Sequence, residues 1–162
     1  MNLREQIPQV TRRVLIDAPS HTVGVELTRS FAASGRELWE AITDPHRLEH
    51  WFGDIDPAEL QVEACEEERL LRLPWEGGTL QVTLADNALT LTYTTPHDAD
   101  WDTFGPALLG VEWDSALAAL NLYLAADAES EAGEEEAFMR AVVGEWSVDK
   151  QQAQRTINLF LE

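Results

Sequence analysis

Residues Leu27 to Phe52 read LTRSFAASGRELWEAITDPHRLEHWF, which predicts a strand followed by two short helices. Ser34 and Glu37 have the spacing of a capping box, in which each side chain accepts a hydrogen bond from the backbone amide of the other. The first helix would then place one apolar face against a core, formed by Leu38, Trp39 and Ile42.

The second helix is bounded by its own signals. Asp44 is typical of an N-cap, and Pro45 of the first turn, where a missing N–H leaves no hydrogen bond unmade. Gly53 is typical of a helix end. The residues expected to pack inward are Leu48, Trp51 and Phe52.

The same helix contains H-x-x-E-H, with His46, Glu49 and His50 at the spacing of an inverted zinc-protease motif. Two histidines at i and i+4 can reach one metal ion, but a zinc site needs a third protein ligand. The helix is short and its buried face belongs to the apolar residues. We therefore predict packing rather than a metal centre, with adventitious metal binding by the histidines as the alternative.

Strand patterns lie on both sides of this helix pair. RRVLI and TVGVELTRSF precede it, and four short alternating runs follow it between Leu60 and Thr95: LQVEAC, RLLRLPW, GTLQVTL and ALTLTYT. Turn residues separate the four runs, at Glu66–Glu68, Gly77–Gly78 and Asp86–Asn87. Short connections of this kind predict an antiparallel meander, and the order of elements predicts the α+β class.

The last third of the chain has helical periodicity. The long helix in LLGVEWDSALAALNLYLAAD would carry an apolar stripe of Leu109, Trp113, Leu117, Leu120 and Leu124. Residues 127–136 predict an acidic, mobile connection. A helical extension over 137–162 follows, with apolar positions Phe138, Val142 and Trp146 and then Ala153, Ile157 and Phe160.

Composition excludes several classes of partner. The 162 residues suit a single domain, 1–162, and carry 30 acidic against 11 basic side chains, a net charge of −19. Such a surface repels phosphate backbones and anionic lipid, so neither nucleic acid nor membrane is an expected partner. Cys65 is the single cysteine, which excludes an internal disulfide, and we expect it half-buried in a strand. With no signal-peptide pattern at the N-terminus, the protein is expected to be cytoplasmic.

The order of elements resembles the helix-grip fold of the START-like (SRPBCC) superfamily: a curved antiparallel sheet of about six strands around a long C-terminal helix. The residues resemble one branch, related to the activator of the ninety-kilodalton heat-shock protein (Hsp) ATPase. Two blocks carry the resemblance. The first comprises Arg29, Trp39, Ala41, Thr43, Asp44, Pro45, Leu48, Trp51 and Phe52; the second comprises Gly105, Pro106, Gly110, Val111, Trp113 and Asp114.

Two departures from the branch bear on a ligand site. Relatives usually carry a Gly-Gly hairpin after the Trp-Phe pair, whereas here GDIDPAE, residues 53–59, leads directly to the meander. One wall of the usual cavity is therefore expected to be missing. In addition, Tyr93 stands where the branch usually has a histidine, so chemistry that depends on that histidine would not transfer.

The resemblance implies three functions. The first is a non-enzymatic module that binds a small hydrophobic ligand between sheet and helix. The second is a co-chaperone-like module with a chaperone or other protein partner and a role in the stress response; the third is a small cyclase- or hydrolase-type enzyme. No cofactor, metal or catalytic residue is predicted. The expected ligand-binding residues are Trp39, Trp51, Phe52, Leu73, Trp75, Tyr93, Glu112, Trp113 and Leu117, with Arg72 as a further polar candidate.

Overall fold

A six-stranded antiparallel sheet forms the centre of the fold. The structure is a computed structural model, which describes residues 2–125 and 133–161. The strand order is β1-β2-β6-β5-β4-β3, which confirms the predicted strands, meander and α+β class. The strands are β1 (Thr11–Asp17), β2 (Thr22–Ser30), β3 (Ala64–Glu66), β4 (Leu70–Trp75), β5 (Gly78–Ala85) and β6 (Ala88–Pro96). β3 is shorter than expected, because the run that begins at Leu60 enters the sheet only at Ala64.

Tight turns join the strands of the meander. Gly77, Glu68 and Asp86 all have positive φ, of 81°, 62° and 57°, at the three positions where the sequence predicts turns. In the β4–β5 connection Trp75 pairs with Gly78, so the loop consists of Glu76 and Gly77, and Glu76 also has a positive φ of 45°. Two consecutive positive φ values match the right-handed twist of the flanking strands.

Helices cover one side of the sheet and extend beyond it. They are α1 (Leu3–Gln6), α2 (Gly35–Thr43), α3 (Pro45–Trp51), α4 (Ala99–Phe104), α5 (Ala107–Leu124), α6 (Glu134–Trp146) and α7 (Lys150–Leu161), with 3-10 turns at Ile7–Gln9 and Pro57–Glu59. None of the helices in the described part of the chain has the length and apolarity needed to cross a membrane.

The predicted acidic connection 127–136 is only partly covered by the structure. Its last three residues form the first turn of α6, which begins at Glu134, and are therefore helical rather than part of a loop. Residues 127–132 lie outside the described residues. Asn2 caps α1 and Leu3 donates its backbone N–H to the Glu134 carboxylate at 2.6 Å, so the N-terminus packs against α6.

Helices α2 and α3 begin where the sequence predicts. The Ser34 hydroxyl accepts from the Glu37 backbone N–H at 3.1 Å, and the Asp44 carboxylate accepts from the His46 backbone N–H at 3.0 Å. The reciprocal half of the capping box is not formed, because the Glu37 carboxylate accepts from the Ser34 hydroxyl instead, at 3.3 Å. Each cap still satisfies an N–H group that the first turn leaves without a helical partner.

Helix α5 is buried on two faces. One face lies over the sheet; the other contacts α6, where Phe138, Val142 and Trp146 are buried as the sequence predicts. Gly110 permits this contact, because a Cβ at this position would overlap the Trp146 indole. The glycine of the second resemblance block therefore has a packing function.

A buried ion pair ties β1 and α6 to α5. Asp114, which is 1% exposed, accepts from Arg12 Nε at 2.9 Å and Nη2 at 2.7 Å, and from Trp146 Nε1 at 2.6 Å. Nearby, the buried Arg29 donates to Gln6 at 3.0 Å. Burial lowers the pKa of Arg29, while the charge of Asp114 acts in the opposite direction. The aspartate of the second block is thus a structural acceptor for three donor groups.

Candidate ligand-binding cavity

A cavity of about 280 Å³ lies between the sheet, α5 and α3. This volume is close to the lower end of the roughly 300–1,000 Å³ usual for ligand pockets. The walls are Ile42, Thr43, Pro45, Leu48, Trp51, Phe52, Ile55, Leu60, Val62, Cys65, Leu71, Leu73, Trp75, Leu80, Val82, Leu89, Leu91, Trp113, Ala116, Leu117 and Leu120. None of these side chains is charged.

The sheet wall follows from strand alternation. Successive side chains of a strand point to opposite faces, so every second residue of β4, β5 and β6 faces α5. In the cavity these are Leu71, Leu73, Trp75, Leu80, Val82, Leu89 and Leu91. Arg72 lies on the other face of β4 and donates to Gln81 at 2.6 Å and 2.9 Å. Contrary to expectation, it does not point into the cavity.

The helical wall follows from the 3.6-residue period. Trp113, Ala116, Leu117 and Leu120 lie at i, i+3, i+4 and i+7 and so share one face of α5. From α3 come Pro45, Leu48, Trp51 and the C-capping Phe52. The apolar residues of the HxxEH stretch point inward as predicted, but they are only half-buried and form a wall of the cavity rather than part of a solid core.

Aromatic rings form one end of the cavity. Phe52 lies 5.6 Å from Trp75 and 6.4 Å from Trp113, the latter nearly parallel at 14°. Trp75 and Trp113 meet edge to face at 6.3 Å, and Trp51 lies 5.4 Å from Phe52. These centroid separations are those of favourable aromatic pairs, so the four rings form a continuous apolar surface.

Tyr93 lies outside this wall, contrary to expectation. Its ring contacts Trp113 at 5.8 Å, and its hydroxyl donates to the carbonyl oxygens of Trp75 at 2.9 Å and Glu76 at 3.1 Å. Burial, then the negative charges of Glu76 and Glu112, raise the pKa of Tyr93, and a hydrogen bond with Thr95 opposes the shift. The tyrosine thus holds the β4–β5 turn and, through it, positions Trp75.

Trp39 and Glu112 also lie away from the cavity walls. Trp39 is 8% exposed in the core, and its carbonyl oxygen accepts from Thr43 at 2.6 Å. Glu112 is exposed on α5, although partial burial of its carboxyl group and the charge of Glu76 raise its pKa. Of the nine predicted ligand-binding residues, the structure brings together Trp51, Phe52, Leu73, Trp75, Trp113 and Leu117. Their role in binding stays a prediction.

The polar residues of the HxxEH stretch are on the solvent side of α3. His46, Glu49 and His50 are all exposed, and the His50 ring stacks on Tyr123 of α5 at 6.0 Å. Within residues 2–125 and 133–161, no group of three or more His, Cys, Asp or Glu side chains could hold a metal ion.

The mouth of the cavity contains residues that the sequence did not single out. Ile55 comes from residues 53–59, which stand in place of the expected hairpin, and Leu60 and Val62 follow directly, so a cavity exists although that hairpin is missing. Cys65 also lines the mouth and is exposed, so the expectation of a half-buried cysteine is wrong. β3 is an edge strand only three residues long.

Comparison with solved structures supports a helix-grip type of fold. A conserved protein of unknown function from Enterococcus faecalis, EF2215, superposes with a TM-score of 0.66 at 17% identity, over 88% of this chain and 93% of that one. CalU16 from Micromonospora echinospora, a helix-grip protein, gives 0.60 at 18% identity, over 84% and 96%. At such identities the likeness concerns the fold alone.

These comparisons concern the fold and do not show a family for the chain. The Aha1 dimer from Colwellia psychrerythraea is also similar, with a TM-score of 0.49, 17% identity and coverage of 63% of this chain and 96% of that one. No protein-family model matches the chain. No curated protein matches it in sequence. The relation to Hsp ATPase activators therefore stays a prediction from the residues.

Proposed function

We propose that this domain binds a small, neutral, apolar ligand in the cavity between sheet and helix and does not transform it. The observation that carries the proposal is the lining, which is apolar and aromatic without a charged side chain. Moving a charge out of water into such surroundings is costly unless a partner is present. The net charge of −19 adds a further penalty for anionic ligands.

The positions of the polar residues support binding over catalysis. Tyr93 and Glu112 are the two expected ligand-binding residues whose side chains could take part in acid–base chemistry, and neither lines the cavity. The Tyr93 hydroxyl is engaged with two backbone carbonyl groups of the β4–β5 turn. The co-chaperone alternative, with a chaperone as protein partner, stays a prediction of the sequence resemblance.

The proposal is tested with 1-aminoanthracene, a neutral aromatic probe that fluoresces in apolar sites. Its titration should saturate at one probe per chain, and a hundredfold excess over the dissociation constant should stabilise the fold by about 2.7 kcal/mol. Ala116→Phe would fill the cavity and should abolish the binding. Ser115→Phe is the matched control, because Ser115 is the exposed neighbour on the same helix.

Two results would contradict the proposal. The first is the absence of saturable binding by a wild-type protein that is folded by circular dichroism. The second is equal binding by wild type and a folded Ala116→Phe variant, which would place the probe elsewhere on the chain.

A further inference from the structure

Some polar groups of the cavity wall already form hydrogen bonds within the protein, and others do not. Thr43 donates its hydroxyl to the Trp39 carbonyl oxygen at 2.6 Å, and Trp51 donates Nε1 to the Ala41 carbonyl oxygen at 2.9 Å. Both groups are therefore unavailable to a ligand without loss of a protein hydrogen bond.

Trp113 is different, because its indole N–H donates to no acceptor in residues 2–125 and 133–161. The residue is 5% exposed, yet its nitrogen is not among the enclosed side-chain atoms that lack a partner. The nitrogen therefore borders a space that a water molecule can enter, and Trp113 is one of the residues that line the cavity. An apolar ligand that displaced water from this nitrogen would leave a buried donor unpaired, at a cost in free energy that an acceptor on the ligand would avoid.

We propose that the Trp113 indole N–H donates a hydrogen bond to a carbonyl or ether oxygen of the ligand. This inference rests on the proposed function and narrows it to neutral ring compounds with one weak acceptor. Phe52 and Trp75 provide ring surfaces beside the donor, suited to a planar aromatic ligand. The Trp75 indole N–H is also without an acceptor in the described part of the chain, but Trp75 is only half-buried and water can satisfy it.

The test compares fluorene with 9-fluorenone, which differ by a single carbonyl oxygen, in displacement of 1-aminoanthracene. The measured quantity is the dissociation constant of fluorene divided by that of fluorenone. This ratio should be about three- to tenfold larger in wild type than in Trp113→Phe, which is the contribution of one hydrogen bond. Trp101→Phe is the matched control: it also removes an indole, but one on α4 that does not line the cavity. Its ratio should equal that of wild type.

A second readout does not depend on the stability of a variant. In a ¹⁵N spectrum, the indole proton of Trp113, assigned by its loss in Trp113→Phe, should move downfield on addition of fluorenone and not of fluorene. An unchanged ratio in Trp113→Phe together with equal indole shifts for the two compounds would overturn this inference and leave the proposed function intact. If neither compound displaces the probe from a protein that binds it, the inference fails by itself; if the probe does not bind either, the proposed function fails with it.

Discussion

Replacing Asp114 with alanine should destabilise the fold more than any exposed substitution on the same helix. The carboxylate is 1% exposed and accepts two hydrogen bonds from Arg12, whose side chain is 10% exposed, and one from Trp146. Removing one partner of a buried ion pair costs about 3–5 kcal/mol, because the remaining charge stays buried. The higher helix propensity of alanine returns roughly 0.5 kcal/mol, so we expect a net loss of about 2.5–4.5 kcal/mol.

Urea unfolding followed by circular dichroism measures this loss, and a double-mutant cycle assigns it to the ion pair. Asp114→Ala and Arg12→Ala each leave one charge unpaired, so the double variant should lose less than the sum by about 1–3 kcal/mol. Ser115→Ala is the exposed control and should stay within about 0.5 kcal/mol of wild type. A cost below about 1 kcal/mol for Asp114→Ala, or additive costs in the cycle, would refute the reasoning.

Two further substitutions test the packing of α5 and its surface charge. Gly110→Ala places a Cβ on the Trp146 indole and should lower the free energy of unfolding in urea by about 1–3 kcal/mol. The control is Gly144→Ala in α6, where an added Cβ meets nothing within 4 Å, and it should stabilise the fold by up to about 1 kcal/mol. Equal effects of the two substitutions would contradict the contact between Gly110 and Trp146. The pKa of Glu112 is raised above 4.5 by burial and by Glu76, so its stabilising contribution is present at low pH and is lost as the pH rises through the raised value. Glu112→Gln should therefore raise the urea midpoint at pH 8 and do so less at pH 5, and a difference independent of pH would show that the carboxyl group is not perturbed.

The sequence predicts the elements of this fold well where local patterns determine them. Strand alternation, the Ser34 and Asp44 caps and the Phe138–Trp146 spacing each depend on neighbours within a few residues. Helices α1 and α4 are not evident, because at four and six residues they are too short to show a periodicity. Each has a local N-cap, Asn2 or Asp98, and α1 is also held by a contact distant in sequence, from the Leu3 backbone N–H to Glu134.

The cavity could be predicted only in part, for a geometric reason. Periodicity gives the face on which a side chain lies, and the family resemblance implied a cavity on that face; together they placed Leu73, Trp75, Trp113 and Leu117 beside the cavity. Periodicity does not show where the polar group at the end of a long side chain lies. Tyr93 has the correct phase in β6, but its hydroxyl ends at the backbone of the neighbouring turn.

The strand order also has a consequence for how the chain folds. β1 with β2, and β3 to β6, are two sets of hairpins that can form from local contacts, whereas the β2–β6 seam joins residues far apart, such as Thr28 and Thr90, which are 62 positions apart. Closing so long a loop costs entropy before the seam contributes any contact, so docking of the two sub-sheets is the slow step that topology imposes. Until that step is complete the apolar faces of both halves are open to solvent, and the interval before docking is when this chain is most exposed to aggregation.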